Sequence, residues 1–229
     1  MTIREMQNLN RDTMKYALEI IAPGMTLTEL KNHCEEFMLS HGADSFWYWG
    51  VGAFIFSGDE TAASVSGREY KTSDRKIKHN DIITIDLSPQ KDSVWGDYAR
   101  TLIVENGHVV RNIDCIQNIE WKKGLEVEEH LHNTMIGFVN VDTTFEELFN
   151  FINGEIKACG YVNLDFLGNL GHSIVKDKKD RIYIEKGNNK KLSSVEAFTF
   201  EPHIGTGKSA YGFKKEDIYT FCDDKLINL

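Results

Sequence analysis

The first forty residues place apolar and polar positions at helical spacing, in two stretches separated by a turn. From Ile3 to Ile21 apolar side chains recur every three or four residues, which predicts an amphipathic helix that stops before Pro23. Thr26 then begins the Thr-x-x-Glu pattern of a capping box. We therefore expect a second helix that ends near His41.

Shorter apolar runs follow the two predicted helices. The stretch from Phe46 to Val65 is rich in aromatic residues and interrupted by glycines, which favours extended structure. The runs Ile82 to Leu87 and Tyr98 to Val104 combine β-branched and aromatic residues. Both are typical of buried strands, and we expect them to be neighbours in one sheet.

The same order of elements then starts again. A long helical region, a second capping box with its helix, and two extended segments follow one another: Asn112 to Phe138, Thr143 to Gly160, Val195 to Glu201 and Asp217 to Cys222. This repetition predicts an α+β fold in which two pseudo-symmetric α/β halves, about 1–108 and 109–229, share a sheet. No linker rich in proline, glycine or serine separates the halves, so we expect one domain over 1–229.

Two aspartates fall where the strands of residues 82–87 and 98–104 would form a hairpin. A register that pairs Asp86 with Asp97 also pairs Thr84 with Ala99, and these side chains then share one face. Carboxylates opposite each other on a buried face repel unless a cation lies between them, and a divalent metal would supply it. Taken alone, the simpler interpretation that Asp97 caps a turn and Asp86 ends a strand is the stronger one.

The second half supplies comparable residues at a matching offset. Glu201 ends an apolar strand, and Glu216 lies 119 residues after Asp97, close to the offset of 118 between the two capping-box helices. A pseudo-twofold axis would bring these acids to one centre with Asp86. His172 follows a glycine in a loop, where a ligand can approach closely.

Composition narrows the classes of function. The chain of 229 residues has 26 lysines and arginines against 35 acids, and this net charge of −9 argues against a nucleic-acid or anionic-membrane surface. No apolar run is long enough to span a bilayer, and the first residues lack the apolar core of a secretory signal. The four cysteines have no zinc-like spacing, so we expect buried, reduced thiols in a cytoplasmic protein.

Five short segments together resemble the pita-bread metallopeptidases, a family that includes methionine aminopeptidases, Xaa-Pro dipeptidases and creatinase. In chain order the segments are 80–86 with Asp86, 96–101 with Asp97, 171–174 with His172, 198–202 with Glu201, and 215–217 with Glu216. The resemblance covers nearly the whole chain. It implies the pita-bread fold, in which the two halves surround a curved antiparallel sheet.

The resemblance also implies a dinuclear metal site. It makes Asp86 a ligand of one ion, Asp97 and Glu216 ligands of both ions, and His172 and Glu201 the remaining ligands of the second ion. A set of oxygen ligands with one imidazole suits Mn²⁺ or Co²⁺, with Fe²⁺ or Zn²⁺ as alternatives. Two such ions activate a water molecule, and Glu201 would act as the general base.

Two histidines that active relatives usually carry have no counterpart in this chain. Relatives carry the first of these histidines before the residue that corresponds to Asp86, and there Ser66 and Arg68 fall nearest. They carry the second after the residue that corresponds to His172, and the matching segment here has Tyr183. His203, two residues after Glu201 on the same strand face, either replaces one of these donors in catalysis or is an ordinary hydrogen-bonded histidine.

Several other residues have mainly structural interpretations. We expect the charged run from Lys176 to Arg181 to be a solvated loop, and His130 and His132 to be solvated helix residues. The aromatic residues Trp47 and Trp49 could contribute to a substrate pocket, although aromatics in a β segment usually belong to the core.

These observations favour a metallopeptidase that removes the N-terminal residue from short peptides. The segment 211–217 is similar to the Xaa-Pro branch, whereas the chain length resembles methionine aminopeptidase. The alternatives are a creatinase-like hydrolase of a non-peptide C–N bond, and a binding protein that kept the fold and lost turnover. Persistence of all five ligand residues counts against the binding protein. The expected partner is a short peptide or small amide, without nucleic acid or membrane, and a homodimer is common in the Xaa-Pro branch.

Overall fold

Two pairs of helices and a set of antiparallel strands make up the computed structural model, which describes residues 1–208 and 210–229. The helices are α1 (Ile3–Ile20), α2 (Leu27–Ser40), α3 (Ile119–Phe138) and α4 (Phe145–Ala158). Short 3₁₀ helices cover Gly58–Ala62, Ile113–Cys115, Lys178–Asp180 and Leu192–Ser194. The strands are β1 (Ser45–Phe46), β2 (Ala53–Ser57), β3 (Asp81–Leu87), β4 (Pro89–Lys91), β5 (Val94–Trp95), β6 (Tyr98–Glu105), β7 (His108–Val109), β8 (Val162–Asn163), β9 (Ser173–Ile174), β10 (Ala197–Phe200), β11 (His203–Gly205), β12 (Gly212–Cys222) and β13 (Lys225–Asn228).

The strands form one large curved sheet and one small sheet. The large sheet has the order β2-β3-β6-β12-β10-β9, with β7 on β6, β13 on β12, and β11 between β12 and β8. The small sheet has the order β1-β4-β5, and its pairings and those of the large sheet are antiparallel. This architecture confirms the predicted α+β fold with a curved antiparallel sheet.

Threonine capping boxes begin three of the helices in the described residues. Thr26 caps α2 as predicted. The box of α4 begins at Thr144 rather than at Thr143, and Glu147 donates its backbone N–H to the Thr144 hydroxyl over 3.1 Å. The Thr143 hydroxyl instead accepts the backbone N–H of Asn140, so it is already engaged in the preceding turn. A cap of this kind contributes about 1 kcal/mol to helix stability.

The hairpin of β3 and β6 has a register two residues away from the predicted one. Asp86 pairs with Ala99 and Thr84 pairs with Thr101, while Asp97 lies just before β6. The reason is that β4 and β5 form a second, smaller hairpin within the connection and take up residues there. A shift of two residues keeps the alternation of side chains, so the two aspartates still share one face.

Each helix pair covers its own part of the sheet. One core cluster joins α1 and α2 to β3 through residues such as Leu30 and Ile83. A second joins α3 and α4 to β10 through residues such as Leu131 and Phe198. The opposite face of β3 carries Thr84 and Asp86 and borders a cavity. Within the described residues, none of the helices is both long and apolar enough to cross a membrane.

Some expected surface positions are buried, and some expected buried ones are exposed. His130 is half exposed, as predicted, but His132 is only 2% exposed because it lies on the face of α3 that packs against β12. The predicted burial of the cysteines is right for Cys34 and wrong for Cys115 and Cys222, which are exposed.

His132 is held as a neutral ring in this core. Its Nε2–H donates to the backbone oxygen of Lys215 over 3.1 Å, and its Nδ1 accepts from the Tyr219 hydroxyl over 2.9 Å. Burial lowers the pKa of His132 well below its usual 6.5, and the positive charge of Lys215 lowers it further. Protonation therefore favours the unfolded chain.

We predict that His132 makes the protein less stable in mild acid. A depressed folded-state pKa means that stability is present above pH 6.5 and is lost as the pH falls below it. Between pH 6.5 and 5.5 the loss due to this residue should be about 1 kcal/mol. The measurement is urea unfolding at both pH values for the wild type and for His132→Gln, and equal pH slopes in the two proteins would contradict it.

Candidate metal centre

The five residues predicted to bind metal meet at one place on the curved sheet. Asp86 lies in β3 and Glu216 in β12, while Asp97, His172 and Glu201 lie at the ends of β6, β9 and β10. Asp86, Asp97 and Glu216 each offer an oxygen within 4.8 Å of the other two. His172 Nε2 lies 3.5 Å from Asp97 Oδ2 and 3.8 Å from Glu201 Oε1.

Ala99 explains why there is room for a ligand between these carboxylates. In the sheet, Ala99 pairs with Asp86 on one side and with Glu216 on the other. Directly paired residues of antiparallel strands point to the same face, so the three side chains stand in one row. Because the middle side chain is only a methyl group, no bulky side chain of β6 stands between the two flanking acids.

Burial and mutual repulsion disfavour the charged forms of these acids. Burial raises the pKa of Asp97 to about 7, and the charge of Asp86 adds to the effect of burial, although His172 opposes it. Burial, followed by the charge of Asp97, also raises the pKa of Glu216 well above its usual value. Like charges confined in this way require a nearby cation.

Glu216 shows the requirement for a cation most directly. The residue is completely buried, and both of its carboxylate oxygens are without a hydrogen-bond partner among the described residues. Buried polar groups of folded proteins are almost always bonded, and an unbonded carboxylate is especially unfavourable. The donor set of Glu216, Asp86 and Asp97 therefore fits a hard divalent cation.

His172 is held with its free nitrogen towards the acids. Its Nδ1 donates to the backbone oxygen of Ser173 over 3.3 Å, and its Nε2 is directed at Asp97. Gly171 has φ +139°, and a side chain there would collide with the Thr199 carbonyl. An imidazole fixed by a carbonyl on its other nitrogen is the usual arrangement for a metal ligand.

Sequence patterns did not single out Lys214, which lies inside the acid cluster. Its Nζ is 2.6 Å from Asp86 Oδ2, 3.0 Å from Glu201 Oε2 and 3.6 Å from Glu216 Oε2. Lys214 and Glu216 are two residues apart on β12, so they share a face, and this period-2 relation was a signal in the sequence. Although burial opposes it, Lys214 lowers the pKa of Glu201.

A cavity opens directly above four of the five residues. Its floor includes Asp86, Asp97, His172 and Glu201, and its walls include aromatic side chains and a few polar ones. Trp47 is buried and lines this cavity, as the sequence suggested, whereas Trp49 is 57% exposed.

The cavity wall has a composition that the sequence did not predict. Arg181, expected in a solvated loop, lies over the Trp47 ring at 4.7 Å and over the Tyr183 ring at 5.7 Å. Arg181 and Tyr183 both line the cavity. Arg68 instead stacks on Trp49, with its guanidinium carbon 4.5 Å from the ring centre.

His203 lies in the wall as well, but its N–H is engaged. Its Nε2 is 2.8 Å from the carbonyl oxygen of Thr61, and because a carbonyl only accepts, Nε2 carries the proton. Burial lowers the pKa of His203 to about 4, so the ring is neutral and Nδ1 is an acceptor. A donor role for His203 in catalysis would require the ring to leave Thr61, and it stays a prediction.

The chain is similar to proteins of known structure and sequence. The chain is similar in structure to a prolidase from Thermococcus sibiricus, with a TM-score of 0.82 and 24% identity over 99% of this chain and 57% of that one. It is similar to a methionine aminopeptidase from Rickettsia prowazekii, with a TM-score of 0.75 and 20% identity over 99% of this chain and 94% of that one. These likenesses confirm the pita-bread fold.

In sequence, a methionine aminopeptidase from Clostridium perfringens is 25% identical over 209 residues, which are 90% of this chain and 78% of that protein. The chain thus spans just over half of the prolidase and most of the methionine aminopeptidases. The sequence profile described as metallopeptidase family M24 matches residues 2–221. This chain therefore belongs to metallopeptidase family M24, as its five motifs predicted.

Proposed function

We propose that this chain is a peptidase that uses two divalent metal ions to remove the N-terminal residue from short peptides, with Xaa-Pro peptides preferred. The observation that carries the proposal is the convergence of five predicted ligand residues from both parts of the chain, four of which line the floor of one cavity. The preference for Xaa-Pro rests on the segment 211–217, which resembles that branch. Mn²⁺ or Co²⁺ are the proposed ions because the ligands are mainly oxygens.

Methionine aminopeptidase activity is the second candidate. It is favoured by the curated relative at 25% identity, and by a chain that spans 94% of the Rickettsia prowazekii structure. Both candidates use the same metal centre and differ in the residue that the cavity accepts.

Each ligand residue has a role in this proposal. Asp86 would hold one ion, Asp97 and Glu216 would hold both, and His172 and Glu201 would complete the second site. The bound ions would polarise the scissile carbonyl and acidify a water molecule.

Glu201 is the proposed general base. In the metal-free protein, Lys214 and His172 lower the pKa of Glu201 although burial opposes them, and its carboxylate is the form that can accept a proton from an attacking water. The rings of Trp47 and Trp95 flank His172, each with its centre 5.7 Å from the imidazole centre. They limit the access of bulk water to this side of the centre.

Arg181 is the proposed anchor for the substrate. Its guanidinium lies on aromatic rings within the wall, and its Nε donates to the Lys178 carbonyl over 3.0 Å. A guanidinium held in this way can bind the free carboxylate of a dipeptide through two hydrogen bonds.

We predict metal-dependent turnover that requires Glu201. Metal-stripped protein reloaded with Mn²⁺, Co²⁺ or Zn²⁺ should cleave one class in a panel of Xaa-Pro dipeptides, Met-Ala-Ser peptides and creatine. Glu201→Gln should lower kcat by about 10²–10⁴, because it removes the proton acceptor. Bound metal per chain is counted in both proteins.

The panel separates the alternatives. Preference for Xaa-Pro or for methionine peptides decides between the two peptidase candidates, and creatine cleavage would replace both with a C–N hydrolase. Bound metal without turnover on any substrate would contradict the peptidase proposal.

We predict that neutralising Asp97 stabilises the metal-free protein. Asp97→Asn removes one of several repelling carboxylates, and a gain of about 1 kcal/mol corresponds to a rise of about 2–4 °C in Tm. The same variant should lose the stabilisation by metal, which is about 2.7 kcal/mol for a wild-type protein at a hundred times its Kd.

Thermal unfolding with and without Mn²⁺ tests both parts of the Asp97 prediction. Asp114→Asn is the control, because the Asp114 side chain is 80% exposed and lies outside the cluster. A lower Tm of metal-free Asp97→Asn, or an undiminished metal response, would count against the site.

We predict that Arg181 sets the affinity for free carboxylates. Arg181→Met should raise KM for dipeptides about tenfold and leave kcat nearly unchanged, since the lost contact is remote from the scissile bond. The KM for dipeptide amides, which lack the free carboxylate, should not change. Steady-state kinetics measure KM and kcat for Arg181→Met and for the control Lys179→Met, whose altered side chain is 77% exposed in the wild type. An equal rise in KM for dipeptides and for dipeptide amides would refute the anchor role.

A further inference from the structure

The position of Lys214 has a consequence for metal binding that the ligand residues alone do not predict. Its Nζ bonds Asp86 Oδ2 at 2.6 Å and Glu201 Oε2 at 3.0 Å. In the proposed ligand scheme these two oxygens belong to different metal ions. A single ammonium group therefore contacts both halves of the metal centre at once.

We propose that Lys214 is an internal counter-ion that occupies the carboxylate cluster in the metal-free protein and must be displaced when metal binds. The inference rests on the proposed function only in that a divalent metal is taken to bind here. It concerns how this chain keeps its acids together before the metal arrives.

Distance is the first reason for displacement. Metal ions bind carboxylate oxygens at about 2.0–2.2 Å, and the ammonium group is already 2.6 Å from one of the same oxygens. A divalent ion on Asp86 Oδ2 would lie within a few ångströms of a positive nitrogen. Two cations at that separation in a buried site repel strongly, so Lys214 and the metal exclude each other.

Charge is the second reason. The lysine offsets one negative charge of the four acids, whereas two divalent ions would offset all four. With the metals in place, the ammonium would add an unneeded positive charge to a site that the ions already neutralise. Without the metals, Lys214 is the only cation in the described residues within 4 Å of Asp86, Glu201 or Glu216 apart from the imidazole of His172.

The cavity offers space into which the Lys214 side chain can move. Its side chain is 16% exposed and lines the cavity above the acids. Its four-carbon stem is flexible, and a lysine ammonium makes fewer geometrically fixed contacts than an arginine fork. The side chain can therefore swing towards the cavity when an ion enters.

The test compares Lys214→Met with Lys215→Met. Lys215 is the next residue of β12, points to the opposite face and pairs with Glu129 at 2.6 Å, so it is a matched control for loss of one lysine. Proteins are purified with metal, stripped, and titrated with Mn²⁺ or Co²⁺ by calorimetry at one fixed pH. Tm of each metal-free protein is measured in parallel.

We expect Lys214→Met to bind metal at least tenfold more tightly than the wild type and to have a lower metal-free Tm, with Lys215→Met unchanged in affinity. A weaker affinity of Lys214→Met would overturn the proposal, because it would show that the lysine supports the ligands. Equal affinity would overturn it too. If the wild type binds no metal and Lys214→Met does, the counter-ion role is supported; if neither binds, it is overturned.

A metal-loaded crystal structure of the wild type gives a second test that needs no variant. We expect Lys214 Nζ to have left both Asp86 Oδ2 and Glu201 Oε2, and an ammonium still bonded to both would refute displacement. These readouts need no substrate. A protein that binds metal as described and cleaves no peptide would contradict the proposed function and leave this inference standing.

Discussion

Mutual repulsion among four clustered carboxylates, two of them buried and two largely buried, is the constraint on which the rest of this structure depends. Asp86, Asp97, Glu201 and Glu216 are drawn to one face of the sheet by the backbone pairing and by the cores behind it. Burial disfavours the ionised forms of Asp86, Asp97 and Glu216, and the raised pKa of Asp97, to about 7, reflects that cost. The fold therefore commits this centre to holding positive charge.

The scaffold that imposes this arrangement lies on the other side of the same strands. Arg100, one residue after Ala99, donates to the backbone oxygens of Ala99 at 2.8 Å and Glu216 at 2.7 Å, and to Asp217 Oδ1 at 2.7 Å. These bonds join β6 to β12 at the point where the acids meet. Removing the guanidinium would weaken the pairing of β6 with β12, whereas removing one of the acids would leave these hydrogen bonds in place.

The metal centre and the cavity wall differ in how closely they follow family M24. The five residues predicted as ligands lie in segments that resemble the family's motifs, whereas the chain has no counterpart of the two histidines expected from that resemblance. Arg181 and Tyr183 stand in the wall, and His203 is occupied by the Thr61 carbonyl. In our proposal, metal chemistry is the part of this site that is shared with the family, and the choice of substrate depends on the wall.

The sequence by itself predicted most of the elements and the five residues that meet at the candidate metal centre. Helix spacing and capping patterns are local, so α1 and α2 lie within one residue of their predicted ends, and the cap of α4 was missed by one residue. Motif order and spacing were enough to select Asp86, Asp97 and the three other residues that the fold brings to this centre. The predicted hairpin register was wrong by two residues, but the face of the sheet predicted for each side chain was right. An error of two residues keeps each side chain on its face.

Only the tertiary structure decided which other charges meet these ligands. Lys214 enters the acid cluster, Arg181 enters the wall and His132 enters the core because of packing between segments far apart in the chain. No local pattern distinguishes Arg181 and His132 from solvated residues of their type, and the period-2 relation of Lys214 to Glu216 indicates a shared face but not which groups the lysine contacts. Burial and neighbours that are distant in sequence determine the charge and the role of these side chains. Such burial and such neighbours exist only in the folded chain, where segments from its two parts pack together.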